Sequence, residues 1–327
     1  MGNGQESVQV VSLREILSSG LHVAGLYRTS LKGAQMESLQ VARLTPRGIE
    51  HDRLFMLVSA GDWKNGTAGE FVNQLVLPQM GLIKPQIKDG KFFASAPGLA
   101  IAVPIQKEGD VIVATMRDNT MDTVDQGDDA AKAFSQFLGV PLRLVRIREG
   151  HSRLAKPKYG AGHDYYQLGL QDGGQLTVGS VESRRNLNQR IIARGHVSVP
   201  DGIFRNNIMI AGNGIPHGED SMQLLQIGND VVVYLSRESA RCNITTRHPL
   251  TAQRHPRGEP LSTMNGYRKM EGRGVIFDQN AIQSLDGEFP VDAIVGEICV
   301  GDRVVVLETK TPPFLYTGPL SEPIVPK

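Results

Sequence analysis

The chain has 327 residues, enough for two domains or one large one with a sizeable core. Hydrophobic residues make up 40% of it, and 35 Lys and Arg stand against 34 Asp and Glu, so a formal charge of +1 excludes a dedicated nucleic-acid binder. The 2 cysteines are far apart and form no C-x-x-C pair, which excludes a disulfide framework and an all-cysteine zinc or iron–sulfur site within the chain. A reducing, cytoplasmic setting follows. No basic start leads into an apolar block, and no run approaches the ~20 apolar residues of a spanning helix, so neither a signal peptide nor a membrane anchor is expected.

From Val8 to Leu144 the text is short β-type runs with turn punctuation, which predicts a β-barrel or sandwich over residues 1–150. Strands are expected at Val41 to Leu44, Leu54 to Ser59, Leu99 to Val103 and Val111 to Thr115, with turns at Asn65-Gly66 and Asp89-Gly90. Two polar spots interrupt this pattern. Thr29-Ser30-Leu31-Lys32-Gly33 reads either as a loop or as a ligand contact, and His51-Asp52-Arg53 either as a surface ion pair or as a clamp. Asp128 to Leu138 is the clearest helix, with an acidic start, Ala131, Phe134, Phe137 and Leu138 on helical spacing, and Gly139 as its stop. Leu142 to Ile147 returns to strand.

Residues 151–174 are poor in aliphatics and rich in Gly, Lys and Tyr. They read as a linker or mobile loop, the alternative being that Lys156, Lys158, Tyr165 and Tyr166 rim a site. A second unit, 175–308, opens with Leu176-Thr177-Val178 and a helix capped at Ser180. The free N–H groups of that first turn offer an anion site, although plain capping accounts for Ser180 equally well. Arg205 and Asn207 lie two apart ahead of the strand Ile208 to Ala211 and so share one face, a fork suited to a planar heterocycle or a phosphate. Leu224 to Ile227 and Val231 to Leu235 form a hairpin across Gly228-Asn229-Asp230. Gly274 to Phe277 and a closing hairpin, Ile298 to Val300 with Val304 to Leu307, complete the sheet. Cys299 reads as packing, and residues 309–327, with five prolines, as an extended arm.

Cys242 is the residue with most chemistry around it. From Arg241 to Arg273 there are seven cationic residues (Arg241, Arg247, Arg254, Arg257, Arg268, Lys269, Arg273) against two acids (Glu259, Glu271), a local excess of +5. Cations beside a thiol favour the thiolate, which attacks electrophiles or binds soft metals, and a basic patch suits a phosphate-bearing ligand. An inert cysteine on a solvated loop is the plainer reading of the same residues.

Taken in order, Phe204-Arg205-x-Asn207-Ile208, Glu219-Asp220, Ala240-Arg241-Cys242-x-x-Thr245-Thr246, Glu259-Pro260-Leu261 with Tyr267-Arg268, and the closing Val-Gly-Asp-x-Val resemble the MOSC domain. The first half, with Ser30-Leu31-Lys32-Gly33, Asp52-Arg53 and Asn73-Gln74, resembles the N-terminal β-barrel domain that accompanies it. In pattern the whole is similar to the mitochondrial amidoxime-reducing component and its bacterial counterparts. The resemblance implies a mainly β protein with a few helices, two barrels, and a molybdenum pterin cofactor (molybdopterin) whose metal takes Cys242 as ligand. It implies cofactor contacts from Ser30 and Arg53 in the first unit and from Ser180, Arg205, Asn207 and Arg241 in the second.

An oxidoreductase is then expected, with Cys242 catalytic. It would act on a small-molecule, N-hydroxylated substrate with electrons from an external electron-transfer protein, and without nucleic-acid or membrane partners. The family label also carries pyridoxal phosphate binding. Thr29, Ala240 and His248 stand where the relatives carry Lys, Ser and Asp, which bears on substrate and rate. Alternatives are a sulfur carrier with a Cys242 persulfide, a metal-free anion-binding β protein, and a zinc site from Cys242, His248 and His255.

Overall fold

The computed structural model describes residues 12–65, 67–154 and 166–314. Gly66, Lys156, Lys158, Tyr165 and the tail beyond Phe314, all named above, lie outside the described residues. Strand accounts for 40% and helix for 17%, so the protein is mainly β, as its alternating runs predict.

The largest sheet has nine strands, which run Glu37–Leu39, His22–Arg28, Ile208–Ala211, Leu176–Ser180, Gly274–Gln283, Val231–Ala240, Met222–Ile227 and Val304–Thr309, with Lys269–Met270 paired alongside Gly274–Gln283. It curls into a nearly closed barrel. Its first two strands come from the N-terminal part of the chain: His22–Arg28 pairs antiparallel with Ile208–Ala211. The exchange is mutual, because Gly296–Cys299 leaves the large sheet to pair with Val41–Thr45. The two halves are therefore stitched by backbone ladders in both directions.

A five-stranded sheet, Phe55–Ser59, Leu142–Ile147, Asn119–Asp125, Val111–Met116 and Gly69–Glu70, and a three-stranded meander, Lys84–Lys88, Lys91–Ala96 and Leu99–Pro104, enclose the first core. The helix Asp128–Leu138 lies on it. Two aspartates open that helix, where they complement the helix dipole, and Gly139 closes it at φ 75°, a left-handed cap that glycine reaches without strain. Phe134 seats the helix in a run of rings, with Phe92 to Phe134 at 6.4 Å and Phe55 to Phe92 at 4.7 Å between centroids. A second core inside the large sheet joins Leu26, Leu44 and Ile49 to Val178, Ile208, Leu225 and Val306. A third, under the helix Val181–Ala193, packs Leu187 and Ile191 on Phe204 and Phe277.

The structure corrects two expectations. Ile298 to Leu307 is not a hairpin: Gly296–Cys299 pairs with Val41–Thr45 and Val304–Thr309 with Met222–Ile227, so the Gly301-Asp302 turn changes sheets. The strand from Val231 runs past Leu235 to Ala240, through Ser236-Arg237-Glu238-Ser239, with breaks of register at Leu235/Arg237 and Glu238/Ala240. Those polar residues stay in strand because they find partners: Ser236 Oγ donates to the Asn280 carbonyl and Glu238 is ion-paired with Arg273. Residues 166–174 pack inward through Leu168, Leu170 and Gln171. Lys310 reaches the Leu235 carbonyl and Phe314 lies against Arg268, so the chain is held beyond residue 309. Among the described residues no helix is long and apolar enough to cross a membrane.

Emptying the ring stack under the helix Asp128–Leu138 leaves a cavity that the flanking strands cannot close, so Phe134→Ala is expected to cost about 3–5 kcal/mol in equilibrium urea unfolding. A loss below about 1 kcal/mol would mean that the helix does not depend on this contact.

Candidate functional site

The strand His22–Arg28 runs out into Thr29–Gly33, and the turn His51-Asp52-Arg53 feeds the strand Phe55–Ser59. Backbone bonds zip the two together: Arg53 N–H donates to the Thr29 carbonyl at 2.6 Å, Phe55 N–H to Ser30 at 2.8 Å, and Lys32 N–H to Phe55 at 2.8 Å. The Asp52 carboxylate is the knot. It accepts the Thr29 N–H at 2.9 Å and the Asn207 Nδ2–H at 3.2 Å, and it holds the Arg53 guanidinium. Asn207 in turn accepts from the Thr177 N–H and hydroxyl, both at 3.1 Å, and donates to the Tyr27 carbonyl at 3.2 Å. His51, Arg53 and Arg205 all sit at positive φ, 65°, 52° and 60°. For side chains of this size such backbone costs on the order of 1–3 kcal/mol each and persists only where the surroundings dictate it.

What that strain presents is a set of polar groups with little to do inside the protein. Ser30 Oγ is buried with no hydrogen-bond partner, although a buried hydroxyl is nearly always paired. Among the described residues, none hydrogen-bonds or ion-pairs with the Arg205 guanidinium. Burial lowers its pKa to about 10, with the neighbouring Arg53 charge adding to that and Asp52, Asp172 and Cys242 opposing it. Lys32 is 5% exposed, donates to the Leu170 carbonyl at 2.8 Å and pairs with Asp172 at 3.0 Å; burial brings its pKa to about 8 despite Asp172. Arg53 interacts electrostatically with both Lys32 and Arg205, and the three form a cationic, partly desolvated cluster suited to an anion.

Cys242 follows the long strand by two residues and opens the 3-10 turn Asn243–Thr246. Its thiol is exposed, and its carbonyl accepts from Thr245 N–H at 3.1 Å and Thr245 Oγ at 2.9 Å, so the Thr-Thr pair shapes the turn. The sulfur interacts electrostatically with both Arg205 and Arg241. Arg241 is spent on the protein, with Nε donating to the Phe277 carbonyl at 2.8 Å, Nη1 to Phe204 at 3.1 Å and Nη2 to Asp278. Asp278, itself at φ 66°, also pairs with Arg184 at 2.8 Å, and Arg184 lies 3.7 Å over the Phe204 ring.

Of the seven residues singled out from the sequence, Ser30 and Arg205 have no side-chain partner among the described residues, Cys242 is exposed, and Arg53 is paired with Asp52. The Asn207 and Arg241 side chains are bonded within the protein. Ser180 faces inward: it caps its helix at Ser183 N–H and, with Ser183 Oγ, donates to Glu219 at 3.0 and 2.6 Å. The buried Glu219 carboxylate fills the helix-start position where an anion was anticipated, and burial, then Asp220, push its pKa up to about 7. Three of the seven cations of 241–273 are spent on acids outside that run: Arg241 on Asp278, Arg268 on Asp220 and Arg273 on Glu238. The zinc arrangement is not formed: His248 and His255 Nδ1 accept backbone N–H bonds in their own turns, and no metal-ligand cluster occurs among the described residues. Lys32 lies in the Thr29–Gly33 run that the sequence flags, whereas Arg184 and Asp278 are not flagged by it. A polar run, Asp278-Gln279-Asn280, inside an apolar strand was the signal for the last.

Comparison with known proteins identifies both parts of the chain. The family model of the MOSC N-terminal beta barrel domain matches residues 20–141, and that of the MOSC domain matches residues 166–305. The chain belongs to the MOSC family, with the N-terminal barrel followed by the MOSC domain. It is similar to a protein described as molybdenum cofactor sulfurase from Oryza sativa subsp. japonica, 26% identical over 83% of this chain and 34% of the relative. A molybdenum cofactor sulfurase from Solanum lycopersicum is 25% identical over 70% of this chain and 29% of the relative. The chain thus spans about a third of the length of the curated relatives it matches. The solution structure of a protein from Bordetella bronchiseptica is 19% identical, with a TM-score of 0.24, over 32% of this chain and 85% of that one.

Lys32 supplies a pH signature. The folded protein gives up this proton at about 8 and an unfolded chain near 10.4, so between those values the unfolded chain binds more protons and stability rises with pH. Between about pH 8 and 10, wild type should gain stability relative to Lys32→Met; parallel denaturation profiles would show that the amine is not desolvated.

Proposed function

We propose that the chain binds a molybdenum pterin cofactor, with its phosphate against Ser30, Lys32, Arg53 and Arg205 and its metal end at the Cys242 thiolate. The observation that carries this reading is a buried, unpartnered Ser30 hydroxyl on the segment zipped by backbone bonds to the Arg53 turn, together with an Arg205 guanidinium from the other half that senses both Arg53 and the exposed Cys242. A phosphate dianion would satisfy these donors at once, and a thiolate is a soft ligand suited to the metal. When bound, the cofactor supplies the two-electron redox chemistry. The protein's share is placement. Asp52 and Asn207 fix the Arg53 turn, and Arg241 and Asp278 fix the Cys242 turn. On this reading the chain is an oxidoreductase for N-hydroxylated small molecules, fed by a separate electron-transfer protein and working in the cytoplasm.

The relatives' description as sulfurases favours a second reading, in which Cys242 carries a persulfide and the cofactor is the acceptor of its outer sulfur. An exposed, cation-flanked thiol serves that chemistry as well.

Expression in cells that make the cofactor, followed by measurement of metal and of fluorescent pterin, separates the cases. Wild type should carry both; Cys242→Ala should lose most molybdenum and retain pterin; Arg205→Ala should lose both by roughly tenfold or more, the effect of removing a charge-assisted contact. Equal molybdenum in wild type and Cys242→Ala removes the reductase reading. A sulfane sulfur on Cys242 after incubation with a cysteine desulfurase, in metal-free protein, would favour the second.

A further inference from the structure

A separate cavity of about 220 Å³ opens beside the Arg53 turn, between residues 45–54, the end of the strand Leu142–Ile147, and Gly169, Gln171 and Asp292. It shares the turn His51-Asp52-Arg53 with the site described above, but Ser30, Lys32, Arg205 and Cys242 do not line it. Its volume is far above the ~10–15 Å³ that a single water needs, so it has room for a small solute. Lys107 and Glu149 stand at its mouth, 66% and 49% exposed, and give it access to solvent.

Four of the charged pairs at this cavity close on themselves. Arg47 is bound to Asp292, Arg53 to Asp52, Lys107 to Glu149 at 3.2 Å, and Glu50 to Arg43 at 2.6 Å. Among the described residues that line it, one cation is left over. Arg146 is 6% exposed, and its Nε and Nη1 are buried with no hydrogen-bond partner. A guanidinium has five donors and no acceptor, so only an acceptor, and best an anion, can satisfy it. Leaving such a group unpaired in the interior costs more than leaving almost any other. The like charge of Arg47 faces it, and the His51 ring, whose pKa is lowered by burial, lies close enough to sense it. Glu149 and Asp292 face it at longer range and partly offset the burial that lowers its own pKa.

We propose that this cavity is a second ligand site, in which the Arg146 fork binds a small oxyanion, the shared chemistry of a phosphate, a sulfate or a carboxylate. Arg47 adds a positive wall, His51 a neutral imidazole able to hydrogen-bond, and the exposed Lys107–Glu149 pair a polar mouth. The site stands independently of the cofactor reading, since none of the groups proposed to hold the pterin phosphate, other than Arg53 in its shared turn, borders it.

The test follows thermal unfolding of the purified full chain at fixed ionic strength while chloride is replaced by inorganic phosphate, sulfate or acetate. In wild type at least one of the three should raise the midpoint progressively with concentration, as a ligand that binds only the folded state must. Response to phosphate and sulfate marks a tetrahedral ligand, and response to acetate alone a carboxylate. Arg146→Gln should weaken the affinity by about tenfold or more, the size expected for a charge-assisted hydrogen bond. Glu149→Gln, a change at a half-exposed position that removes a competing negative charge, should tighten it by a few-fold, and it carries the test if Arg146→Gln fails to fold. In the Arg205→Ala background, where the site at Ser30 and Arg53 is weakened, the part of the response lost with Arg146→Gln should persist, which keeps this result apart from that of the cofactor experiment. No response to any of the three anions, an unchanged response in Arg146→Gln, or a response unchanged or weakened in Glu149→Gln overturns the proposal.

Discussion

The Asp52 carboxylate is the interaction on which the rest of this structure turns. It is fully buried, and it is shared between a backbone N–H of the first half, an asparagine of the second and the arginine beside it. A buried carboxylate so placed tolerates little rearrangement, since loss of any donor leaves a charge without compensation. It thereby fixes the strained His51–Arg53 turn, and with it the position of one guanidinium relative to a second, Arg205, contributed by the other half of the chain.

The halves could not be docked loosely and still do this. Placement of charged groups for ligand binding needs tolerances of about half an ångström, which side chains on separately mobile bodies do not supply. Here the strand His22–Arg28 lies in the large sheet and Gly296–Cys299 lies against Val41–Thr45, so backbone ladders run both ways across the junction. Thr29–Lys32 leaves the end of the first of these strands directly and enters the site with no intervening linker. The rigidity of the crossing strands is what allows unpaired groups such as Ser30 and Arg205 to be held in place.

The same economy separates holding from acting among the arginines. Arg241, Arg268 and Arg184 are wrapped in carboxylates, carbonyls and rings, and they stiffen the elements around Cys242. Arg205 and Arg146 lack such partners among the described residues and are left with binding capacity. A guanidinium's role is therefore set by which acceptors surround it, and sequence neighbours say little about that.

The sequence by itself determined the mainly β class, the helix Asp128–Leu138 with its glycine stop, most strand positions and the family motifs that single out Ser30, Arg53, Arg205 and Cys242. These are local facts: period, capping and turn chemistry act over a few residues, and motif spacing is read along the chain. It did not determine that Ser180 would serve the buried Glu219, that Asn207 and Arg241 would be bonded within the protein, or that Arg268 and Arg273 of the basic run after Cys242 would pair with Asp220 and Glu238. Nor did it show that the last two strands would part to different sheets. Those outcomes belong to the tertiary structure, because the partner that satisfies a buried charge or a strand edge comes from tens to hundreds of residues away, and only packing decides which one arrives.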